Sequence, residues 1–263
     1  MNRSRYSLRL LTTSTAAAVI LTMATGCAQI KRSVPTMERV IDVTKVVIRE
    51  PETWVPLSAA AVIAATNLDR EISDWASEET PLFGSQQSAD DASDDLRNLL
   101  VIGAAAATVL APVPEGDDGF RSRRIIANVA SGSAVGAVVE AGKIAVGRDR
   151  PNDRNDESFP SGHSGTAFSS AVYIEQGLNE TIENPLLRKS IKIGTTSAAS
   201  LVAWARVEAQ EHFPVDVLVS AGISNLIAKV FYQSITSDGE SDVPPVAFEA
   251  GRDGFLVRFE QSF

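Results

Sequence analysis

The chain has 263 residues, enough for one domain with a sizeable core, and 44% of them are apolar, with few aromatics. Its formal charge of −9 argues against a nucleic-acid partner, because phosphate backbones are bound mainly through Lys and Arg. The single cysteine, Cys27, leaves no internal disulfide to form.

Residues 1–26 read as a secretory signal, with Arg3, Arg5 and Arg9 as a positive start and Ala16 to Met23 as a short apolar stretch. The stretch ends Met23-Ala-Thr-Gly26-Cys27, which resembles the lipobox of bacterial lipoproteins, in which the cysteine is lipidated and becomes the mature N-terminus. Ala24 stands where Leu is usual, and a plain signal peptide with an incidental cysteine is the alternative. Ala28 follows the cysteine where Asp would mark the inner membrane. The resemblance therefore implies an extracytoplasmic protein, lipid-anchored at Cys27 to the periplasmic face of the outer membrane.

Residues 27–50 read as a linker followed by a helix, with Met37, Val40, Ile41 and Val47 at roughly helical spacing. Pro51 opens a helix over 51–68, with Glu52 in its first turn as the macrodipole favours. The run 72–75 extends it or starts a short helix, and Pro81 and Gly84 mark a polar loop. Asp94 and Asp95 lead into an apolar helix over 96–111, stopped by Pro112 and Pro114. An acidic, glycine-bearing loop over 115–119 precedes a helix over 122–146. Further helices are expected over 164–177, 187–207 and 214–233. The fold class is therefore all-α, a bundle of roughly six helices in a domain over 51–235. The tail over 236–263 differs, because 246–248 and 255–259 alternate around Gly251-Arg-Asp-Gly254 and predict a β-hairpin.

No run reads as transmembrane. The apolar stretch over 99–113 is about 15 residues, short of the ~20 that cross a bilayer. The stretch over 125–146 contains Glu140 and Lys143 and is broken by Gly132, Gly136 and Gly142. Both are expected to be buried core helices.

Three polar clusters interrupt these apolar segments. They read Lys143-x6-Arg150-Pro151, then Pro160-Ser161-Gly162-His163, then Arg206-x5-His212-x3-Asp216, and they hold both histidines of the chain. Lys143, Arg148, Arg150 and Arg206 form a local cationic focus, which lets an acidic chain hold a single phosphate. Arginine suits that task because its planar fork meets two oxygens and keeps its charge. Pro160-Ser161-Gly162 sits at a helix start, where free backbone amides bind anions and glycine admits close approach. Ser161 also fits an ordinary N-cap. The four-residue spacing of His212 and Asp216 lets the carboxylate reach one ring nitrogen and leaves the other free to attack.

In this order, the clusters resemble the signature of the type 2 phosphatidic acid phosphatase superfamily, which includes bacterial class A acid phosphatases and vanadium haloperoxidases. Ala205 stands where that family often has Ser, and only residues 152–159 separate the first two clusters. The resemblance implies a metal-independent phosphatase without a cofactor, acting on a phosphorylated small molecule or lipid. His212 would be the nucleophile that forms a phosphohistidine, Asp216 its orienting partner, and His163 the acid for the leaving group. Lys143, Arg150, Ser161, Gly162 and Arg206 would hold the phosphate. A vanadium haloperoxidase, a non-catalytic envelope lipoprotein that keeps the pocket, and an integral membrane lipid phosphatase are the competing readings.

Overall fold

A computed structural model describes residues 35–115, 117, 119–179 and 181–237, together with the backbone of two terminal strands. The expected signal and Cys27 lie outside the described residues. The chain divides into two units, Met1–Pro35 and Thr36–Phe263, and the fold belongs to the second.

Eight helices are described: α1 Met37–Val47, α2 Pro51–Thr66, α3 Leu68–Glu79, α4 Gln86–Leu110, α5 Phe120–Val146, α6 Gly162–Asn179, α7 Pro185–Glu208 and α8 Pro214–Thr236. The six longer ones, α2 and α4 to α8, form the expected all-α bundle, with α8 packed against α2, α5 and α6. The shorter α1 packs on α8, and α3 packs on α7. After them in the chain, β1 Val246–Gly251 and β2 Gly254–Phe259 pair antiparallel, so the tail forms the expected hairpin.

Local chemistry sets the helix ends. Asn184 caps α7 by accepting from Leu186 N and Leu187 N at 2.9 and 3.2 Å, with Pro185 in the first turn. Gly147 closes α5 in the left-handed region (φ 55°), its N–H on Lys143 O at 2.9 Å. Asn67 is also left-handed (φ 58°) and turns the chain from α2 into α3.

Two expectations are corrected. α4 begins at Gln86, ten residues before position 96, because Ser85 caps it by accepting from Ser88 N at 3.1 Å. The acids that suggested a loop are one polar face of this helix. The second correction concerns α5, which is not a buried core helix: only 22% of its most apolar stretch is buried. Val129, Val138 and Ile144 on α5 are exposed, as are Leu99, Ile102 and Leu110 on α4.

The interior is built from small side chains. Ala104, Ala127 and Ala228 surround Val172, Tyr173 and Tyr232, while Ala167, Ala171 and Ala199 surround Leu100 and Val202. Small residues bring the helices close, and Gly222 shows how close: a Cβ there would lie 2.5 Å from Leu57 Cγ and 2.8 Å from Thr53 O. α2 therefore lies directly on α8. The two run antiparallel, since Thr53 meets Asn225 while Asp69, just beyond α2, accepts from Val215 N at 2.9 Å. This arrangement gathers the ends of α5 and α7 and the starts of α4, α6 and α8 at one end of the bundle.

Candidate active site

At that end, two loops carry the chemistry. The first, between α5 and α6, holds Arg148, Arg150 and Ser158 and is tied across itself by Ser158 N to Arg148 O (2.9 Å) and Arg150 N to Asn155 O (2.9 Å). It can lie on α5 because Gly142 has no side chain, as a Cβ there would meet Pro160 Cδ at 2.5 Å. The second, between α7 and α8, holds Glu211 and His212, whose amides both donate to Arg206 O, at 3.1 and 3.2 Å.

His212 is buried. Its Nδ1 lies 2.6 Å from the backbone carbonyl of Ser158 and donates to it, which leaves Nε2 as the acceptor nitrogen. The direct contact with Asp216 expected from the spacing is not made, since Nδ1 and Asp216 Oδ2 are 3.9 Å apart. The carboxylate is turned instead to other donors: Ser158 Oγ at 2.6 Å, Arg148 Nη1 at 2.7 Å and Phe213 N at 2.8 Å. Asp216 thus holds both flanks of the histidine without touching the ring. Arg148 belongs to this frame rather than to a phosphate pocket, because it also donates to Asp69 at 2.6 Å and lies 4.0 Å from the Phe213 ring centroid.

Arg150 and Arg206 converge on one carboxylate, that of Glu211. Its Oε2 accepts from Arg150 Nη1 and faces Arg206 Nη2 at 3.3 Å; its Oε1 accepts from Arg154 Nη1 at 2.9 Å and Asn152 Nδ2 at 3.0 Å. Arg206 Nη1 reaches α4 as well, donating to Asp90 and, at 3.1 Å, to Ser93 Oγ. The Nε–H groups of Arg150 and Arg206 are buried, and neither has a hydrogen-bond partner among the described residues. Buried donors of this kind are costly unless a ligand satisfies them.

Ser161 is fully buried, its N–H on Asp216 O at 3.3 Å and its Oγ accepting from Ser164 N at 3.4 Å, so it caps α6, whose first residue is Gly162. His163 follows, with Nε2 held by Asp94 Oδ1 at 2.7 Å and in contact with Arg97 Nη1. Lys143 is paired within its own helix, its ammonium on Glu140 at 3.0 Å, one turn back along α5.

Both imidazoles are held below their ordinary value of 6.5. For His212 the displacement is large and comes first from burial, then from the charges of Arg206 and Arg150. For His163 burial again leads, followed by Arg206, with Asp94 pulling the other way. The charges of Arg150, Arg206 and His163 all act on His212, so four of the expected site residues share one electrostatic field. Asp90, Ser93, Asp94, Arg97, Ser158 and Glu211 were not expected in it. The spacing of 90, 93, 94 and 97 marks one face of a helix and was the available signal.

Fold and geometry together define an all-α bundle that gathers two histidines and several arginines at one end. The family model of the PAP2 superfamily matches residues 125–239, the stretch that holds the three clusters. A stretch of 112 residues, 42% of the chain, is 27% identical to a lipid A 1-phosphatase of Porphyromonas gingivalis. That match spans 23% of the relative's own length. The crystal structure of a transmembrane PAP2-type phosphatidylglycerolphosphate phosphatase from Bacillus subtilis is similar in fold, with a TM-score of 0.50 at 21% identity, over 69% of this chain and 94% of that one.

Proposed function

We propose that this protein is a phosphatase that hydrolyses a phosphorylated lipid through a phosphohistidine, with its own cations in place of a metal. The observation that carries the reading is the pair of unpartnered, buried Nε–H donors on Arg150 and Arg206 beside a histidine whose Nδ1 is fixed. Phosphoryl transfer needs donors around the equatorial oxygens and a nucleophile in line. The two Nε–H groups and the amides opening α6 at Gly162 and His163 supply the first, with Ser161 fixing that helix start. Lys143 joins them on releasing Glu140.

His212 Nε2 attacks phosphorus, the bond to the leaving oxygen breaks, and His163 gives that oxygen its proton. Water then attacks phosphorus, giving its proton to His163, and the phosphorus–nitrogen bond breaks to release phosphate and free His212. Asp216 acts on the nucleophile through Ser158 and the α8 start.

A lipid substrate fits the surface of the bundle. We read the exposed apolar residues of α4 and α5 as a lipid-facing belt, because a soluble domain seldom leaves so many large apolar side chains in water. The uncharged stretch of α5, 125–139, is about 22 Å long at ~1.5 Å per residue, against ~30 Å for a hydrocarbon core. We therefore place the belt in lipid and the charged site end in water, in a bacterial envelope membrane. The Cys27 anchor and the periplasmic face of the outer membrane remain part of this proposal, as does a catalytic domain over 51–235 with the hairpin as an appendix. The relatives that the chain matches are phosphatases, which favours this reading over a haloperoxidase or a non-catalytic pocket.

The test is hydrolysis of ³²P-labelled phosphatidate and phosphatidylglycerol phosphate in mixed micelles, quenched in alkali to preserve phosphohistidine. Release of phosphate in EDTA with label retained on His212 is the expected result. Failure to hydrolyse any lipid phosphate, or activity that needs added Mg²⁺ or Zn²⁺, overturns it.

A further inference from the structure

Glu211 is an odd neighbour for a phosphate site. It is buried, it directly precedes the nucleophile, and it puts a carboxylate among three arginines that an anionic substrate would be expected to claim. A carboxylate there opposes a phosphate electrostatically. Its hydrogen bonds show what it does instead. All four donors around it are side-chain groups away from the guanidinium Nε atoms: Arg150 Nη1, Arg206 Nη2, Arg154 Nη1 and Asn152 Nδ2. Both arginines of the pair are therefore held by a terminal nitrogen while the Nε–H of each stays open. A guanidinium offers two edges, and holding one determines which way the other faces.

We propose that Glu211 is the positioning residue of the site: it clamps Arg150 and Arg206 by their Nη groups so that their Nε–H donors meet the phosphoryl oxygens as charge develops in the transition state. The inference rests on the phosphatase reading above. Through side chains, Glu211 also ties together three segments. Arg150, Asn152 and Arg154 come from the loop before α6, Arg206 from the end of α7, and Glu211 from the turn that carries His212. Because the carboxylate sits one residue from the nucleophile, it references both arginines to His212 itself. The geometry of donors and nucleophile is then set before the substrate arrives, as electrostatic preorganisation requires.

A positioning residue and a simple competitor for the arginines predict opposite results. Removing the negative charge leaves the arginines more available to any anion, so ground-state binding of inorganic phosphate should hold or tighten. Losing the clamp lets them drift from where a trigonal-bipyramidal species needs them, so a mimic of that species should bind more weakly. The experiment compares Glu211→Gln and Glu211→Asp with wild type, full chain in detergent, measuring phosphate and vanadate binding by calorimetry alongside kcat and KM. For Glu211→Gln we expect kcat to fall about 10–100-fold and vanadate affinity to weaken by at least about tenfold, with phosphate affinity and KM within about threefold or improved. Glu211→Asp keeps the charge with a shorter reach and should recover part of both losses. If Glu211→Gln does not fold, Glu211→Asp alone carries the test, with a smaller vanadate loss at constant phosphate affinity.

Vanadate affinity within twofold of wild type in either folded variant overturns the proposal. So does a Glu211→Gln enzyme that binds both anions more tightly and turns over faster, since that behaviour belongs to a competitor. The phosphatase reading is judged separately, on hydrolysis by the wild-type chain. The clamp is judged on anion binding, so either can fail alone.

Discussion

The two histidines occupy contrasting surroundings. His212 is buried, its ring fixed by a backbone carbonyl and its charge opposed by two arginines. His163 lies nearer the surface, its Nε2 held by Asp94, itself half exposed, with Arg97 alongside. A backbone carbonyl cannot change its charge or rotate away, so the inner ring keeps one tautomer through a cycle. A carboxylate on a flexible arm adjusts to a ring that gains and loses a proton. The first surroundings suit a group that makes a bond, the second one that moves a proton.

The strongest test of this contrast is to delete each ring. His212→Ala should abolish turnover, by at least about 10⁴-fold, and the labelled phosphoenzyme with it. His163→Ala should cost about 10²–10⁴ on a poor leaving group but much less in the phosphorylation step with p-nitrophenyl phosphate, whose oxygen departs without a proton. A burst followed by slow turnover should appear in rapid-quench traces, because hydrolysis of the intermediate still lacks its base. Label retained by protein lacking His212 but absent from protein lacking His163 would reverse the two roles.

Substitutions at one remove sharpen the comparison. Asp216→Asn weakens the charge pair with Arg148 and the grip on Ser158, and we expect kcat to fall roughly 10–100-fold together with a measurable drop in Tm. Ser158→Ala retains the carbonyl that fixes His212 and should lower kcat less than about tenfold, by kinetics on the same substrate. Equal effects of the two would show that Asp216 acts through Ser158 alone and that its contacts with Arg148 and Phe213 N add nothing. On the outer side, Asp94→Asn should leave phosphorylation by p-nitrophenyl phosphate within about threefold while slowing hydrolysis of the intermediate.

The smallest effect is on pH. His212 must be neutral to attack, and because its proton affinity is lowered well below 6.5, the acid limb of kcat/KM should lie well below that value. His163 must be protonated to donate, and its lowered value puts the alkaline limb below 6.5 too. The pH profile of kcat/KM should therefore peak on the acid side of 6.5. The profile of kcat should lie at higher pH, since bound phosphate favours both imidazolium forms. A kcat/KM optimum above 7 would contradict both displacements.

Much of this was legible in the sequence, for physical reasons. Alanine-rich runs bounded by Pro112, Pro185 and Pro214 could hardly be anything but helices, and the three clusters marked the end of the bundle where charge gathers. What escaped notice had no side-chain signature or had a misleading one. The acceptor that fixes His212 is a carbonyl, which every residue possesses. Glu211 read as a spacer between Arg206 and His212, because its meaning depends on a loop some sixty positions earlier. The start of α4 was hidden by its acids, which look like solvent-facing loop until Arg206 and His163 are placed opposite them. The exposure of α5 was hidden too, since apolar composition does not say whether protein or lipid lies against it.

α4 has one consequence that its individual hydrogen bonds do not express. Asp90 and Asp94 are one turn apart on a single rigid rod, the first gripping Arg206 and the second gripping His163. Any travel of that rod, ~1.5 Å for a slip of one residue, carries both carboxylates the same way. In the proposed mechanism, the cation assigned to the phosphoryl group and the imidazole assigned to the proton are thus geared to one shaft. The Cα atoms of Asp90 and Asp94 cannot shift along the axis independently.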